Sequence, residues 1–253
     1  MGEKNKTIVK SMEVLSLFYK NEQLSLQDMV ELSGRPKTSI YRLVGSLEEM
    51  GFLQKNESGK YVLGLIFLQL GHLVAERLDI RQISLPVMRA LRDDVGEAVN
   101  LIMQDGKEAI YIEKVDTMQP VRVYTQIGRR APLYAGACPR ILLAFLSRTE
   151  QDEYINHTEM KAIASGTLTD PAELRSVLDQ SRVLGYSVSH SELEDHTSAV
   201  AVPIFNHAGE VAAGLSIAGP EGRFKQERLP QLVEKVKQAA NQISQKLGWV
   251  YNK

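Results

Sequence analysis

The stretch that decides the fold is GRPKTSIYRLVGSLEEMGF, residues 34–52. Pro36 suits the first turn of a helix, because its missing N–H would have no partner there. Apolar residues then recur at helical spacing along one face: Ile40, Leu43, Val44, Leu47 and Met50. Gly51 fits the left-handed position after a helix, where a Schellman end brings Phe52 back toward Leu47. The stretch is therefore predicted to be a helix with one face in a core.

The opposite face of this helix is polar and basic at its leading end, with Lys37, Thr38, Ser39, Tyr41 and Arg42. A helix N-terminus also favours phosphate, so this pattern is typical of a DNA recognition helix. We expect these five side chains to contact DNA, although Tyr41 has the alternative of packing against the preceding helix. Arg42 either reads guanine or clamps a phosphate, and the sequence leaves both open. Arg35, Lys37 and Lys60 are predicted to bind phosphate.

The segments on either side complete a small domain. One helix is predicted from about Thr7 to Tyr19, and a second starts at Ser25, with Asp28 completing a capping box, and ends near Gly34. Residues 52–64, FLQKNESGKYVLG, predict two strands and a polar turn. That turn would carry Lys55, Asn56, Ser58 and Lys60 toward the DNA backbone. Three helices followed by a two-stranded ribbon is the order of a winged helix-turn-helix.

The remainder of the chain predicts a helix and then a mixed domain. Residues 63–78, LGLIFLQLGHLVAERL, are helical in pattern and apolar nearly all round, which favours burial against a twin helix of a second subunit. Beyond residue 80, strands are predicted at 98–104, 108–115, 198–205 and 210–219, with 121–126 as a further candidate. Helices are predicted at 81–95, 139–147, 170–184 and 225–247. Antiparallel strands covered by helices predict an α+β sensor-type domain.

Composition narrows the function classes. The 253 residues are 43% hydrophobic and carry a net charge of −1, so any DNA binding depends on a local patch. Residues 1–65 hold nine Lys or Arg and eight Asp or Glu, which is only weakly basic. The single cysteine, Cys138, excludes an internal disulfide and suits a reducing cytoplasm. No apolar run is long enough to cross a membrane, and the N-terminus lacks the apolar core of a secretory signal. We therefore expect a cytoplasmic protein without membrane attachment.

Taken together, these pieces resemble the IclR family of bacterial transcription regulators. The resemblance rests on five ordered segments, at residues 33–53, 61–64, 128–146, 184–205 and 209–220. It implies an α+β chain with a winged helix-turn-helix at 1–62, a linker and dimerisation helix at 63–79, and a GAF-like effector-binding domain at 80–253. It also implies a homodimer that pairs into a tetramer on operator DNA, a repressor rather than an activator, and no cofactor.

The resemblance further implies an effector pocket in the C-terminal domain. The matching positions, together with hydroxyls suited to a ligand, are Val123, Gly136, Ala137, Cys138, Ser189, Thr197, Ala199 and Ser216. Their mixture of small, apolar and hydroxyl side chains suits a small carboxylate or an aromatic acid. The chain departs from the family pattern at Gly136, at Pro139-Arg140, where most members have Gly-Lys, and at His196. These departures border the pocket and leave the ligand undefined.

Other interpretations are weaker. Cys138 precedes a helix start, where a thiol can be activated, but a role in the pocket wall is favoured. The run from His190 to His196 has metal-capable side chains, yet a solvated loop is favoured and no metal site is predicted. Arg122, Arg129 and Arg130 can hold an acidic effector, although solvation is the simpler expectation.

Two other classes of protein are alternatives to a regulator. The first is a small-molecule-processing enzyme with a helical oligomerisation module, but the sequence offers no assembled nucleophile, base and orienting group. The second is a DNA-binding architectural protein without a ligand, which the sizeable sensor domain disfavours.

Overall fold

The structure, a computed structural model, describes residues 5–76 and 79–250. The chain divides into two compact units, Met1–Arg77 and Leu78–Lys253. Each unit has its own hydrophobic core. The two units are described in turn.

The N-terminal unit follows the predicted order of three helices and a two-stranded ribbon. Its elements are α1 (Lys6–Ser16), α2 (Leu26–Ser33), α3 (Lys37–Glu49), β1 (Leu53–Lys55), β2 (Tyr61–Leu63) and α4 (Ile66–Glu76). A short 3-10 turn, Leu17–Tyr19, extends α1. The buried face of α3 is the predicted one, with Ile40, Leu43, Val44 and Leu47 in the core. The winged helix-turn-helix is confirmed.

The ends of α2 and α3 show why the chain turns where it does. Ser25 accepts the N–H of Asp28 and the Asp28 carboxylate accepts the N–H of Ser25, which is the predicted capping box. At the end of α3, the Phe52 N–H donates to the Leu47 carbonyl at 2.8 Å, and Gly51 adopts φ 75°. This pair of features is the predicted Schellman end. Pro36 lies immediately before α3 rather than inside its first turn.

Gly64 fastens the ribbon to the end of α3. Its N–H donates to the Phe52 carbonyl at 2.9 Å. A Cβ added at Gly64 would lie 1.9 Å from the Gly51 carbonyl oxygen, a distance that backbone cannot accommodate. Glycine is therefore required where β2 leaves the ribbon.

The apolar helix begins later than the sequence predicts. Leu63 ends β2 and α4 starts at Ile66, so the predicted start at residue 63 is wrong. The predicted end, at Arg77 and Leu78, lies outside the described residues. Large apolar side chains remain exposed along this segment of the N-terminal unit: Leu65, Leu68, Leu70 and Leu73. Burial of α4 against a second subunit stays a prediction.

The C-terminal unit is built on one antiparallel sheet of six strands within its described residues. The strands are β3 (Ala98–Asp105), β4 (Glu108–Val115), β5 (Arg130–Pro132), β6 (Ser187–His190), β7 (Thr197–Phe205) and β8 (Val211–Pro220). Their order across the sheet is β5-β4-β3-β8-β7-β6. The Asp105-Gly106 hairpin joins β3 to β4 as predicted, since Asp105 pairs with Glu108.

Helices cover both faces of this sheet. They are α5 (Asp79–Val95), α6 (Ala137–Phe145), α7 (Arg148–Asn156), α8 (Pro171–Leu184) and α9 (Leu229–Lys246). One core lies between the sheet and the pair α5 and α9, and a second lies between the opposite face and α6 and α8. The predicted α+β class is confirmed. The helix α7 and the strand β6 were not predicted, and the predicted start of α9 is four residues too early.

The candidate strand at 121–126 is wrong. The edge of β4 is taken by β5, which pairs Arg130 with Ile110 and Pro132 with Glu108. The chain from 116 to 129 instead forms a strap without regular structure. Side chains along the strap still alternate in exposure, since Arg122 and Tyr124 are exposed, Val123 is half-buried and Thr125 is buried.

Candidate DNA-binding surface and effector cavity

The predicted DNA-contacting side chains of α3 lie on its outer face. Lys37, Thr38, Tyr41 and Arg42 are exposed and Ser39 is half-buried. Tyr41 is 68% exposed, so the alternative of packing against α2 is wrong. Within the N-terminal unit, the face of α3 that carries these donors is therefore accessible to a binding partner.

A groove between α1 and α3 continues this surface. It is lined by Thr7, Lys10, Pro36, Thr38, Ser39, Arg42, Leu43 and Ser46. Thr7 and Lys10 come from α1 and were not among the predicted site residues. The sequence could have indicated that Thr7 and Lys10 share one face of α1, because residues three positions apart are neighbours on a helix surface. The groove thus extends the predicted DNA-contacting face of α3 onto α1.

The start of α3 has no side-chain cap, unlike α2. The N–H groups of Ser39 and Ile40 donate to the Pro36 carbonyl. Among the described residues, the N–H groups of Lys37 and Thr38 have no acceptor. Free N–H groups and the helix dipole make this end a suitable place for a phosphate.

The remaining predicted phosphate contacts have different surroundings. Arg35 is half-buried and forms an ion pair with Glu13 of α1. Lys60 lies at the end of the ribbon turn, where its N–H donates to Asn56 Oδ1 at 3.0 Å. Asn56 also accepts the N–H of Ser58. The Asn56 side chain therefore holds the turn together, and Lys55 and Lys60 are the basic residues of the ribbon.

In the C-terminal unit, all eight predicted effector residues line one cavity. It lies between the sheet, the start of α6 and the 116–129 strap. Several other residues of its wall were not predicted from the sequence: Asn100, Tyr111, Thr125, Glu192, Leu193, Glu194 and Ser198. Three of these, Asn100, Tyr111 and Ser198, come from β3, β4 and β7, and the other four come from the strap and from the loop between β6 and β7. The volume of this cavity that water-sized molecules can reach is about 50 Å³.

The start of α6 forms one end of this cavity. Gly136 adopts φ 86°, and a Cβ there would lie 2.7 Å from Leu193 Cδ1. Its N–H donates to Glu192 Oε2 at 2.8 Å. A carboxylate of the chain itself therefore already occupies the N-terminal end of this helix.

Arg140 holds that carboxylate from behind the cavity wall. Its guanidinium is 1% exposed and pairs with Glu192, which is 6% exposed. It also donates to Ser187 Oγ at 3.1 Å and to the Val188 carbonyl. At Arg140, the departure from the family pattern thus supplies a buried ion pair, while Pro139 beside it lines the cavity.

Arg129 is the arginine that reaches the cavity. Its guanidinium donates to Glu194 at 2.7 Å and lies 5.9 Å from the ring centre of Tyr111. Burial raises the pKa of Tyr111, so its hydroxyl stays protonated at physiological pH. Arg122 is exposed in the strap and does not line the cavity. Arg130 pairs with Asp105 and Glu108 at the hairpin.

Cys138 is a wall residue and not a reactive thiol. It is buried, and burial raises its pKa to about 12 even though Ser216 provides a hydrogen bond. A thiolate is the reactive form, so this thiol is inert at neutral pH. The favoured interpretation of Cys138 as part of the pocket wall agrees with its position.

The run from His190 to His196 forms a strand end and a tight loop. The His190 ring lies 2.8 Å from Ser198 Oγ, and His196 adopts φ 62°. Across residues 5–76 and 79–250, no three metal-capable side chains converge on one point.

None of the described helices combines the length and apolar character needed to cross a bilayer.

Comparison with known proteins identifies the family. The model of the IclR helix-turn-helix domain matches residues 7–57, and that of the bacterial transcriptional regulator IclR C-terminal domain matches residues 72–245. The chain belongs to the IclR family. It is therefore a DNA-binding transcription regulator and not an enzyme.

Individual members of the IclR family resemble the chain over nearly its full length. The HTH-type transcriptional regulator KipR of Bacillus subtilis is 58% identical over 249 residues, which cover 98% of this chain and 100% of KipR. The crystal structure of Thermotoga maritima IclR has a TM-score of 0.78 at 33% identity, covering 96% of this chain and 99% of that one. An IclR homologue from Microbacterium hydrocarbonoxydans, solved as a complex with 4-hydroxybenzoate, has a TM-score of 0.83 at 25% identity, covering 96% and 99%.

Proposed function

We propose that the protein is an effector-controlled repressor that binds its operator as a dimer and pairs into a tetramer. The observation that supports this most directly is the combination, in one IclR-family chain, of a polar outer face on α3 and a cavity lined by all eight predicted effector residues. A regulator of this kind acts where the DNA is, so we place it in the cytoplasm.

The DNA contacts would divide into two kinds. Thr38, Ser39, Tyr41 and Arg42 would lie on the part of α3 that enters a major groove, where they would contact base edges or the flanking backbone. The phosphate contacts would come from Arg35, Lys37 and Lys60, and from the free N–H groups at the start of α3. Two copies would insert their α3 helices into successive major grooves, about 34 Å apart or a multiple of that distance.

The effector would be a small carboxylate or an aromatic acid held in the cavity of the C-terminal unit. The relative from M. hydrocarbonoxydans was crystallised with such an acid. To change transcription, the ligand must bind one arrangement of the subunits more tightly than another. The exposed leucines of α4 support a dimer, because an apolar surface of this kind marks an interaction site.

A gel-shift series on DNA upstream of the protein's own gene tests the regulator. We expect sequence-preferring binding that weakens as salt rises, since phosphate contacts release counterions. Binding without sequence preference would refute the DNA-reading role. Deleting the gene should raise transcription of its targets, whereas a fall would show activation instead of repression.

A further inference from the structure

Most of the cavity wall is firmly held in place. The loop at 191–196 forms one side of it and is bonded to its surroundings. The Glu192 carboxylate receives the Gly136 N–H and pairs with Arg140. The Glu192 carbonyl accepts the Thr167 hydroxyl at 2.7 Å. The sheet and the start of α6, which form other parts of the wall, pack into a hydrophobic core. These parts of the wall therefore resist displacement.

The middle of the strap is the loosely held part of the wall. Val123 and Thr125 line the cavity from this strap. In the part of the chain that the structure describes, no hydrogen bond joins residues 122–127 to a residue outside the strap. Lys114 lies 4.7 Å from the ring centre of Tyr124, an exposed side chain. A segment with so few bonds opens at a low cost in free energy.

Backbone anchors bracket this loose segment. Beyond its end, the Gly128 N–H donates to the Tyr111 carbonyl of β4 at 2.7 Å. Before its start, the Val121 carbonyl accepts a hydrogen bond from Arg223 Nη2 at 2.8 Å. Arg223 belongs to a short 3-10 turn, Glu221–Arg223, that follows β8. The near end of the segment is therefore held by a side chain 102 residues away in the sequence.

A buried carboxylate sets Arg223 in place. The Arg223 Nε lies 3.1 Å from Glu97 Oε1, and the Glu97 side chain is 2% exposed. Arg228 approaches the same oxygen at 3.1 Å. A Cβ added at Gly219 would lie 2.5 Å from Glu97 Oε2, so the carboxylate has little room to move. The planar guanidinium of Arg223 can therefore contact Glu97 with one edge and reach the Val121 carbonyl with another.

We propose, building on the proposed function, that the strap is a lid on the effector cavity and that Arg223 holds it closed. Opening would break the bond between Arg223 and Val121 and leave Arg223 beside Glu97, while residues 122–127 move away from the sheet. Arg223 does not line the cavity, so it acts as a positioning residue. Entry and release of an effector would then depend on a side chain that the effector never touches.

The Cys138 thiol reports the opening of this lid, because it lines the cavity and is buried. Alkylation of the full chain by iodoacetamide without any ligand, followed by mass spectrometry, measures how often the thiol becomes accessible. The deciding variant is Arg223→Lys, whose ammonium keeps a charge beside Glu97 but cannot also reach the Val121 carbonyl. We expect alkylation about three- to tenfold faster than in the unmodified protein, because a partly exposed, charge-assisted hydrogen bond is lost.

Arg228→Lys is the matched control. Arg228 pairs with the same Glu97 oxygen and donates to the Val95 carbonyl, but within the described residues it has no hydrogen bond to the strap. This variant should leave the alkylation rate of Cys138 unchanged. An equal rise in both variants would show a general loosening around Glu97 and would overturn the proposal. An unchanged rate in Arg223→Lys, shown to be folded by a thermal melt, would also overturn it.

Urea separates opening of the lid from unfolding. Moving a short strap exposes little surface, so alkylation of the unmodified protein should depend only weakly on urea below the unfolding transition. A dependence as steep as that of global unfolding would overturn the lid, even if Arg223→Lys fails to fold. Because these measurements use neither DNA nor effector, their failure leaves the regulator standing. Loss of operator selection by the unmodified protein in a gel shift would instead be a failure of the proposed function.

Discussion

Replacing Arg140 with methionine should destabilise the C-terminal unit severely. Methionine keeps much of the side-chain length but removes the charge. The guanidinium donates to Glu192, Ser187 and the Val188 carbonyl while almost completely buried. Arg140→Met would leave Glu192 buried with its negative charge uncompensated except by the Gly136 N–H.

The size of the effect follows from this burial. Removing one partner of a buried ion pair costs about 3–5 kcal/mol, because the other charge remains in the interior. In a domain of 150–250 residues, each kcal/mol lowers the melting temperature by about 2–4 °C. The unit Leu78–Lys253 lies in that size range. We therefore expect its melting temperature to fall by about 6–20 °C.

Differential scanning calorimetry on the full chain measures this change, and two variants make it specific. Arg148→Met removes an arginine whose side chain is 61% exposed, so it should cost at most about 1 kcal/mol. The double variant Arg140→Met with Glu192→Gln removes both charges and should recover part of the loss. The reasoning is refuted if Arg140→Met costs no more than Arg148→Met. It is also refuted if the double variant is less stable than the sum of its single changes.

Three further predictions concern other parts of the molecule. Arg42→Ala should weaken operator binding by about 1–3 kcal/mol if Arg42 reads a base, while an equal loss on all DNA sequences in gel shifts would show a phosphate contact. Cys138 should react with iodoacetamide at neutral pH only as the protein opens, because burial raises its pKa to about 12; fast labelling of folded protein would contradict this. Asp28 has a pKa lowered by its hydrogen bonds to Ser25, so its charge stabilises the folded unit above the ordinary pKa of 3.8 and ceases to do so as pH falls through the lowered value. In denaturant unfolding, the unmodified protein should therefore be more stable than Asp28→Asn at pH 7, and this difference in the free energy of unfolding should disappear at low pH. A difference that stays the same at all pH values would show that the Asp28 charge is not its cause.

The N-terminal unit could be predicted from sequence because its signals are local. Ser25 with Asp28, and Gly51 with Phe52, specify helix ends through hydrogen bonds spanning a few residues. The periodicity of α3 likewise needs no information from outside the helix. The start of α4 was misplaced because Leu63 continues the apolar pattern while its backbone pairs with Leu53.

The cavity was harder to predict because strand order assembles it. Asn100 lies on β3 and Tyr111 on β4, and nothing in the sequence of either strand alone marks them as wall residues of a cavity. The strap at 116–129 has the alternation of a strand, but β5 occupies the edge it would need. No pattern in the local sequence indicates that β5 and the strap compete for the same edge of β4. Arg140 shows the same limit, since its partner Glu192 is 52 residues away.

The Gly64 junction has a consequence for how a signal can reach DNA. Because Gly64 rests on the Gly51 carbonyl and bonds to Phe52, the ribbon and the end of α3 move as one piece. A bound metabolite would gain little binding free energy by bending the ribbon and the end of α3, since closely packed backbone resists deformation. In the proposed dimer, each ribbon and its α3 would therefore act as a rigid unit, and an effector could change only the distance between the two units.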